Sequence, residues 1–151
     1  MLRERFNEAL KAAMRERNAL TVSTVRMILA GVKDRDIAAR SRGVTDGVDD
    51  GEILNLLRNM VKQRQDSIGL YREGGRPELA DKEAAEIAVI EGFMPKPMAD
   101  DEVAAAVAAA IAATGAASVK DMGKVMAELR SRHAGVMDFA KAGPLVKQAL
   151  A

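Results

Sequence analysis

The sequence predicts an all-α protein made of two helical domains, and three observations carry that prediction. Apolar residues recur at the three- and four-residue spacing of a helix nearly from end to end. No window alternates apolar and polar residues in a way that rivals these stripes, so no sheet is expected. The firmest break, Pro95-Lys96-Pro97, cannot continue a helix. It marks the hinge between a four-helix N-terminal domain over 1–97 and a three-helix C-terminal domain over 98–151. A chain of 151 residues is long enough to bury a real core.

The first helix is read from Leu2, Phe6, Leu10 and Met14, with Ala9 and Ala13 beside them, and the second from Val25, Ile28, Leu29 and Val32. Between them lie Asn18 and Thr21-Val22-Ser23-Thr24. Their side chains compete for backbone hydrogen bonds and place the helix break there. The polar, glycine-bearing run Ser41 to Gly47 predicts a mobile loop. Asp49 or Asp50 then caps a long helix with Ile53, Leu57, Met60, Val61, Ile68 and Tyr71 on its stripe, ended by Gly74-Gly75.

Pro77 suits the first position of a fourth helix, because the donor it lacks has no partner there in any case, and Glu78 complements the positive helix end. Its stripe is Ala80, Ala84, Ile87, Ala88 and Val89 or Ile90. Past the hinge, Asp100 is expected to cap a helix with Val103, Val107 and Ile111 on one side, ending near Gly115. Ser118-Val119-Lys120-Asp121 has capping-box spacing ahead of a helix that buries Val119, Met122, Met126 and Leu129. Asp138 starts the last helix, with Leu145, Val146, Ala149 and Leu150 inward and Gly143-Pro144 kinking or delaying it.

Composition narrows the chemistry. There is no cysteine, hence no disulfide framework, no thiolate nucleophile and no cysteine-bound zinc. No stretch approaches the roughly 18 apolar residues of a membrane span, and Met1 to Phe6 lacks the apolar run of a signal peptide. A cytoplasmic protein without membrane, metal or cofactor is therefore expected. Three Phe, one Tyr and no Trp leave few platforms for base stacking. The net charge of +1 conceals an asymmetry: ten bases face five acids up to Thr45, and seven bases face eleven acids from Asp46 to Pro97. Such a distribution steers a polyanion toward one end, unless neighbouring helices pair their charges.

Known catalytic and ligand-binding patterns do not fit. His133 is the only histidine and has no placed nucleophile or co-ligand in the sequence pattern. Asp46 to Glu52 is rich in carboxylates, but the twelfth residue of a calcium loop falls on Leu57. Gly123-Lys124 is followed by Val125 where a phosphate loop needs Ser or Thr. A glycine within a helix costs about 0.5–1 kcal/mol relative to alanine, so Gly123 calls for a compensating close approach, either of another helix or of a nucleic-acid backbone. Lys62 and Arg72 share a helix face with Asp66 and Glu73 and are expected to pair with them. Arg64 falls on the Met60/Ile68 side, where its stem lies along apolar surface.

Taken in order, Leu20 to Ile28, Lys62-Gln63-Arg64 with Ile68 and Tyr71, Gly75-Arg76-Pro77-Glu78-Leu79-Ala80 leading to Glu83 and Glu86, Phe93-Met94-Pro95 and Asp121-Met122-Gly123-Lys124-Val125-Met126 resemble the YqeY-like proteins of the GatB/YqeY family. The resemblance spans nearly the whole chain. It implies that the C-terminal part is similar to the tail of the amidotransferase B subunit that acts on misacylated Glu-tRNA or Asp-tRNA, a tail that helps hold tRNA while the chemistry lies in another domain. Lys120, Lys124, Arg130, Arg132, Lys141 and Lys147 become the candidate contacts to an RNA backbone. Gly135 and Asp138 match the family's turn and cap before the last helix, but Val136 stands where relatives commonly carry an arginine.

The function the resemblance implies is a non-catalytic tRNA-binding module that assists an amidotransferase or an aminoacyl-tRNA synthetase. Its alternatives are a component with carbon–nitrogen ligase activity using glutamine as amido-N-donor, and a protein-interaction module.

Overall fold

The computed structural model describes all 151 residues. Seven α-helices and no strand make up the chain: α1 (Leu2–Arg15), α2 (Ala19–Ala39), α3 (Asp50–Glu73), α4 (Pro77–Glu91), α5 (Asp100–Thr114), α6 (Met122–His133) and α7 (Phe139–Leu150). Short 3-10 turns at Arg40–Arg42 and Val119–Asp121 follow α2 and precede α6. No single helix is long and apolar enough to cross a membrane. Contacts gather into two compact units, Met1–Met94 and Pro95–Ala151.

In the first unit α1 packs on α2 and α3 on α4, with α4 also against α2. Phe6, Val25, Ile28, Ile53, Leu57 and Ile90 are wholly enclosed. Each such side chain contributes about 1.5–3 kcal/mol of burial. Phe6 also meets Phe93 edge to face at 4.9 Å, which ties the chain beyond α4 to α1.

The break between α1 and α2 is tighter than the Ser/Thr cluster implies. Asn18 caps α2, its side-chain oxygen accepting from Thr21 N–H at 3.1 Å. Thr21 to Thr24 all lie inside the helix. Thr24 is buried without penalty because its hydroxyl donates to the Leu20 carbonyl at 2.8 Å.

Asp49 is the cap of α3, its Oδ1 accepting from Glu52 N–H at 2.9 Å. The loop before it is pinned at its far end. Arg3 reaches both Asp36 carboxylate oxygens, at 2.8 and 2.7 Å, and the Val48 carbonyl at 2.9 Å, while Val48 N–H donates to Asp36 Oδ1 at 2.8 Å. Gly47 makes that clamp possible. Its φ is +93°, and a Cβ there would sit 2.7 Å from Arg3 Nη2.

On α4 the inward face is Ala80, Glu86 and Ile90, so Ala84 and Ala88 point to solvent, contrary to the expected stripe. A glutamate occupies the interior position because α3 supplies its counter-charge.

The second unit has its own core of Val103, Val107, Val125, Leu129, Ala142, Val146 and Leu150. Asp100 is the first residue of α5 and not its cap; Glu102 instead accepts from Ala99 N–H at 3.2 Å. Val119 is exposed because it lies in the 3-10 turn ahead of α6, and Val125 joins Met126 and Leu129 in the core. Asp138 caps α7 through Ala140 N–H at 3.0 Å. Ala149 faces water. The helix continues past Pro144, which offers no N–H to the carbonyl of the exposed Ala140.

Candidate functional site

Six bases, Lys120, Lys124, Arg130, Arg132, Lys141 and Lys147, are all the lysines and arginines that follow Pro97. All six are exposed. They do not form one patch. Each residue turns a helix by about 100°, so Arg130 and Arg132 flank the buried stripe of α6 on opposite sides, and Lys141 and Lys147 do the same on α7. Three are engaged within the unit: Arg132 pairs with Glu128, Lys141 Nζ lies 3.6 Å from Asp100, and Arg130 stacks over the Phe139 ring at 5.7 Å.

Lys120, Lys124 and Lys147 make no ion pair. The first two stand four residues apart at the entrance to α6, on either side of Gly123. The one carboxylate in this stretch, Asp121, is turned onto its own backbone. It accepts from Ala117 N–H at 2.9 Å and Ser118 N–H at 3.3 Å, and these bonds hold its carboxyl below the ordinary range, with Lys124 adding to the effect.

Gly123 itself is exposed, and a Cβ built there meets nothing within 4 Å. No helix crosses it, so the explanation by close helix packing is wrong for this glycine. That role belongs to Gly31 on α2, whose Cβ position lies 3.1 Å from the Leu56 methyls on α3. Gly135 does form the turn after α6, with φ of +85°. His133 is the last residue of α6, half-buried, and its carbonyl accepts from Val136 and Met137 N–H at 3.2 and 3.1 Å.

The motif residues of the first unit separate into two kinds. Arg64 is structural. Its Nε donates to Glu86 Oε2 at 2.9 Å with Glu83 at 3.9 Å, its Nη1 donates to the Met60 carbonyl at 3.2 Å, and its Nη2 approaches Met27 Sδ at 3.6 Å. Its stem lies on the apolar side as expected, but the two glutamates it serves were not foreseen as partners, since nothing in the spacing reports a contact across two helices. Lys62 and Gln63 are exposed, and Lys62 and Arg72 make no ion pair with Asp66 or Glu73. Arg76 binds Glu78 at 2.7 Å on the surface, which lowers the Glu78 carboxyl from its usual value. No three His, Asp or Glu side chains gather as metal ligands would.

A family model described as Yqey-like protein matches residues 3–150. Among curated proteins, the chain is similar to "Altered inheritance of mitochondria protein 41, mitochondrial" from several fungi. The match is 30% identical over 85 residues in Lachancea thermotolerans, covering 56% of this chain and 43% of the relative. It is 32% identical over 85 residues in Candida glabrata, with 56% and 45% covered. In Clavispora lusitaniae it is 32% over 94 residues, with 62% and 52% covered. The chain thus spans about half the length of the curated relatives it matches.

These names overturn the expectation of a cytoplasmic protein, because the relatives are mitochondrial ones. The physical reason is plain: cysteine content and hydropathy constrain redox chemistry and membrane insertion, and neither reports which compartment holds a folded helical protein.

Proposed function

The chain belongs to the YqeY-like protein family, and from that premise we propose that it is a non-catalytic helical module that binds tRNA through backbone contacts and assists an amidotransferase or an aminoacyl-tRNA synthetase. One observation supports this reading most: the entrance to α6, where Lys120 and Lys124 are unpaired and the surface over Gly123 is bare. A smooth glycine surface lets a phosphate approach the backbone closely, and flanking ammonium groups neutralise it. Asp121 does not oppose this, since its carboxylate is occupied by backbone donors. Lys147 supplies a third open cation on α7.

RNA held this way is positioned by charge and shape, and its bases go unread. Titration with tRNA across a salt series tests the proposal. Three phosphate contacts give a slope of log affinity on log salt of about −2 to −3. Lys120→Ala and Lys124→Ala each reduce that slope by about one contact. Arg132→Ala, already paired with Glu128, leaves it unchanged. Absence of binding, or binding indifferent to salt, refutes the proposal, and glutamine-dependent amide transfer to misacylated tRNA by the purified chain replaces it with the ligase alternative.

A further inference from the structure

An open cleft of about 670 Å³ lies in the first unit where α1 ends and α2 begins, lined by Met14, Arg17, Ala19, Val22, Ser23 and Arg26. Its surface is mainly apolar. Met14 is 53% exposed on it, unusually open for a residue on a helix with so strong an apolar stripe. Arg17 and Arg26, also exposed, make no ion pair and no side-chain hydrogen bond, and no acidic residue lines the cleft.

The position of Arg17 adds a second, separate observation. It follows the C-cap of α1 in a Schellman turn: Asn18 N–H donates to the Ala13 carbonyl at 2.9 Å and Arg17 N–H to the Met14 carbonyl at 3.3 Å. That turn requires a left-handed residue, and Arg17 has φ of +56°, the one non-glycine residue of the chain with positive φ. Glycine adopts this conformation without a Cβ clash; arginine does not. The side chain placed there at a conformational penalty makes no hydrogen bond and no ion pair within the chain.

We propose that this cleft docks an acidic segment of a protein partner, one apolar side chain resting on Met14 and Val22 while carboxylates on either side engage Arg17 and Arg26. Methionine suits such a floor, being unbranched and adaptable. Guanidinium forks bind carboxylates in pairs of hydrogen bonds. A nucleic acid fits less well. The floor is apolar, two cations are few for a backbone track, and no aromatic side chain lines the cleft to stack a base. The inference does not depend on RNA binding at α6.

The test uses the full chain labelled at its methionine methyls, observed by NMR. The probe is a capped peptide of alternating leucines and glutamate pairs, with its glutamine counterpart and an oligouridylate of equal charge as comparisons. The acidic peptide shifts the Met14 methyl signal, and Arg26→Gln weakens its affinity about tenfold, the loss of one charge-assisted contact. Arg17→Gly weakens binding similarly while the thermal midpoint stays level or rises, an outcome that a structural arginine would not give. Failure of the acidic peptide to move Met14 overturns the proposal. So does equal binding of the glutamine peptide, an equal or larger response to oligouridylate, or a shift of Met14 with protein concentration alone, which would make the occupant a second copy.

Discussion

Replacing Arg64 by methionine separates a structural from a ligand-binding role for the residue at the centre of the Lys62-Gln63-Arg64 motif. Its side chain is 12% exposed and that of Glu86 is 9% exposed, with 2.9 Å between Nε and Oε2. Methionine keeps the apolar stem but leaves Glu86 enclosed without a counter-charge, a loss of about 3–5 kcal/mol in comparable buried pairs. The lower figure applies here, because Glu83 is more open at 22% and gives water a way toward the cluster. For a unit of this size about 3 kcal/mol lowers the melting temperature by roughly 12 °C or more.

The assay is a double-mutant cycle by urea and thermal unfolding with Arg64→Met, Glu86→Leu and the pair. The double variant recovers most of the stability, since neither charge is then stranded, and the coupling is at least about 2 kcal/mol. Two results refute the reasoning: Arg64→Met within about 1 kcal/mol of the parent, or a double variant no better than the single. A large fall in tRNA affinity with unchanged stability would instead move Arg64 into the binding surface.

Further outcomes follow from other contacts. Asp36 is held down to about 2 from 3.8, first by the Arg3 hydrogen bonds and then by Val48 N–H, so its stabilisation is complete above roughly pH 4 and is lost as pH falls toward 2. Urea midpoints measured across that window should show the loss in the parent and not in Asp36→Asn, which at neutral pH is less stable by about 1 kcal/mol given the half-open Arg3. Gly123→Ala raises stability by up to about 0.5–1 kcal/mol in thermal unfolding, because open space surrounds the site; a loss would mean a contact there after all. The same change weakens tRNA binding if a phosphate lies on that surface. Phe6→Ala, at a wholly enclosed position against Phe93, costs about 3–5 kcal/mol by denaturant titration, and a smaller effect would show that the site collapses around the void.

The α-helical class was legible because its signal is local. Periodicity, Asp138 as a cap with the choice narrowed to Asp49 or Asp50 for α3, and Gly74-Gly75 and Gly115 as stops act over four or five residues, a range that sequence spacing reports directly. Misplaced details have two causes, a local hydrogen bond and a neighbour from elsewhere in the chain. Thr24 sits inside α2 because a backbone carbonyl satisfies it, and Glu86 faces inward because Arg64 meets it.

The order of motifs along the chain was enough to identify the family, and the spacing of apolar residues was enough to make it all-helical. Tertiary structure alone decided which charges are spent on one another and which stay free. Arg3 finds Asp36 across 33 residues and Arg64 finds Glu86 across 22, whereas Lys120, Lys124, Arg17 and Arg26 make no ion pair. A charge's partner depends on distance in space, since screened attraction fades beyond about 8–10 Å, and chain separation carries almost no information about that distance.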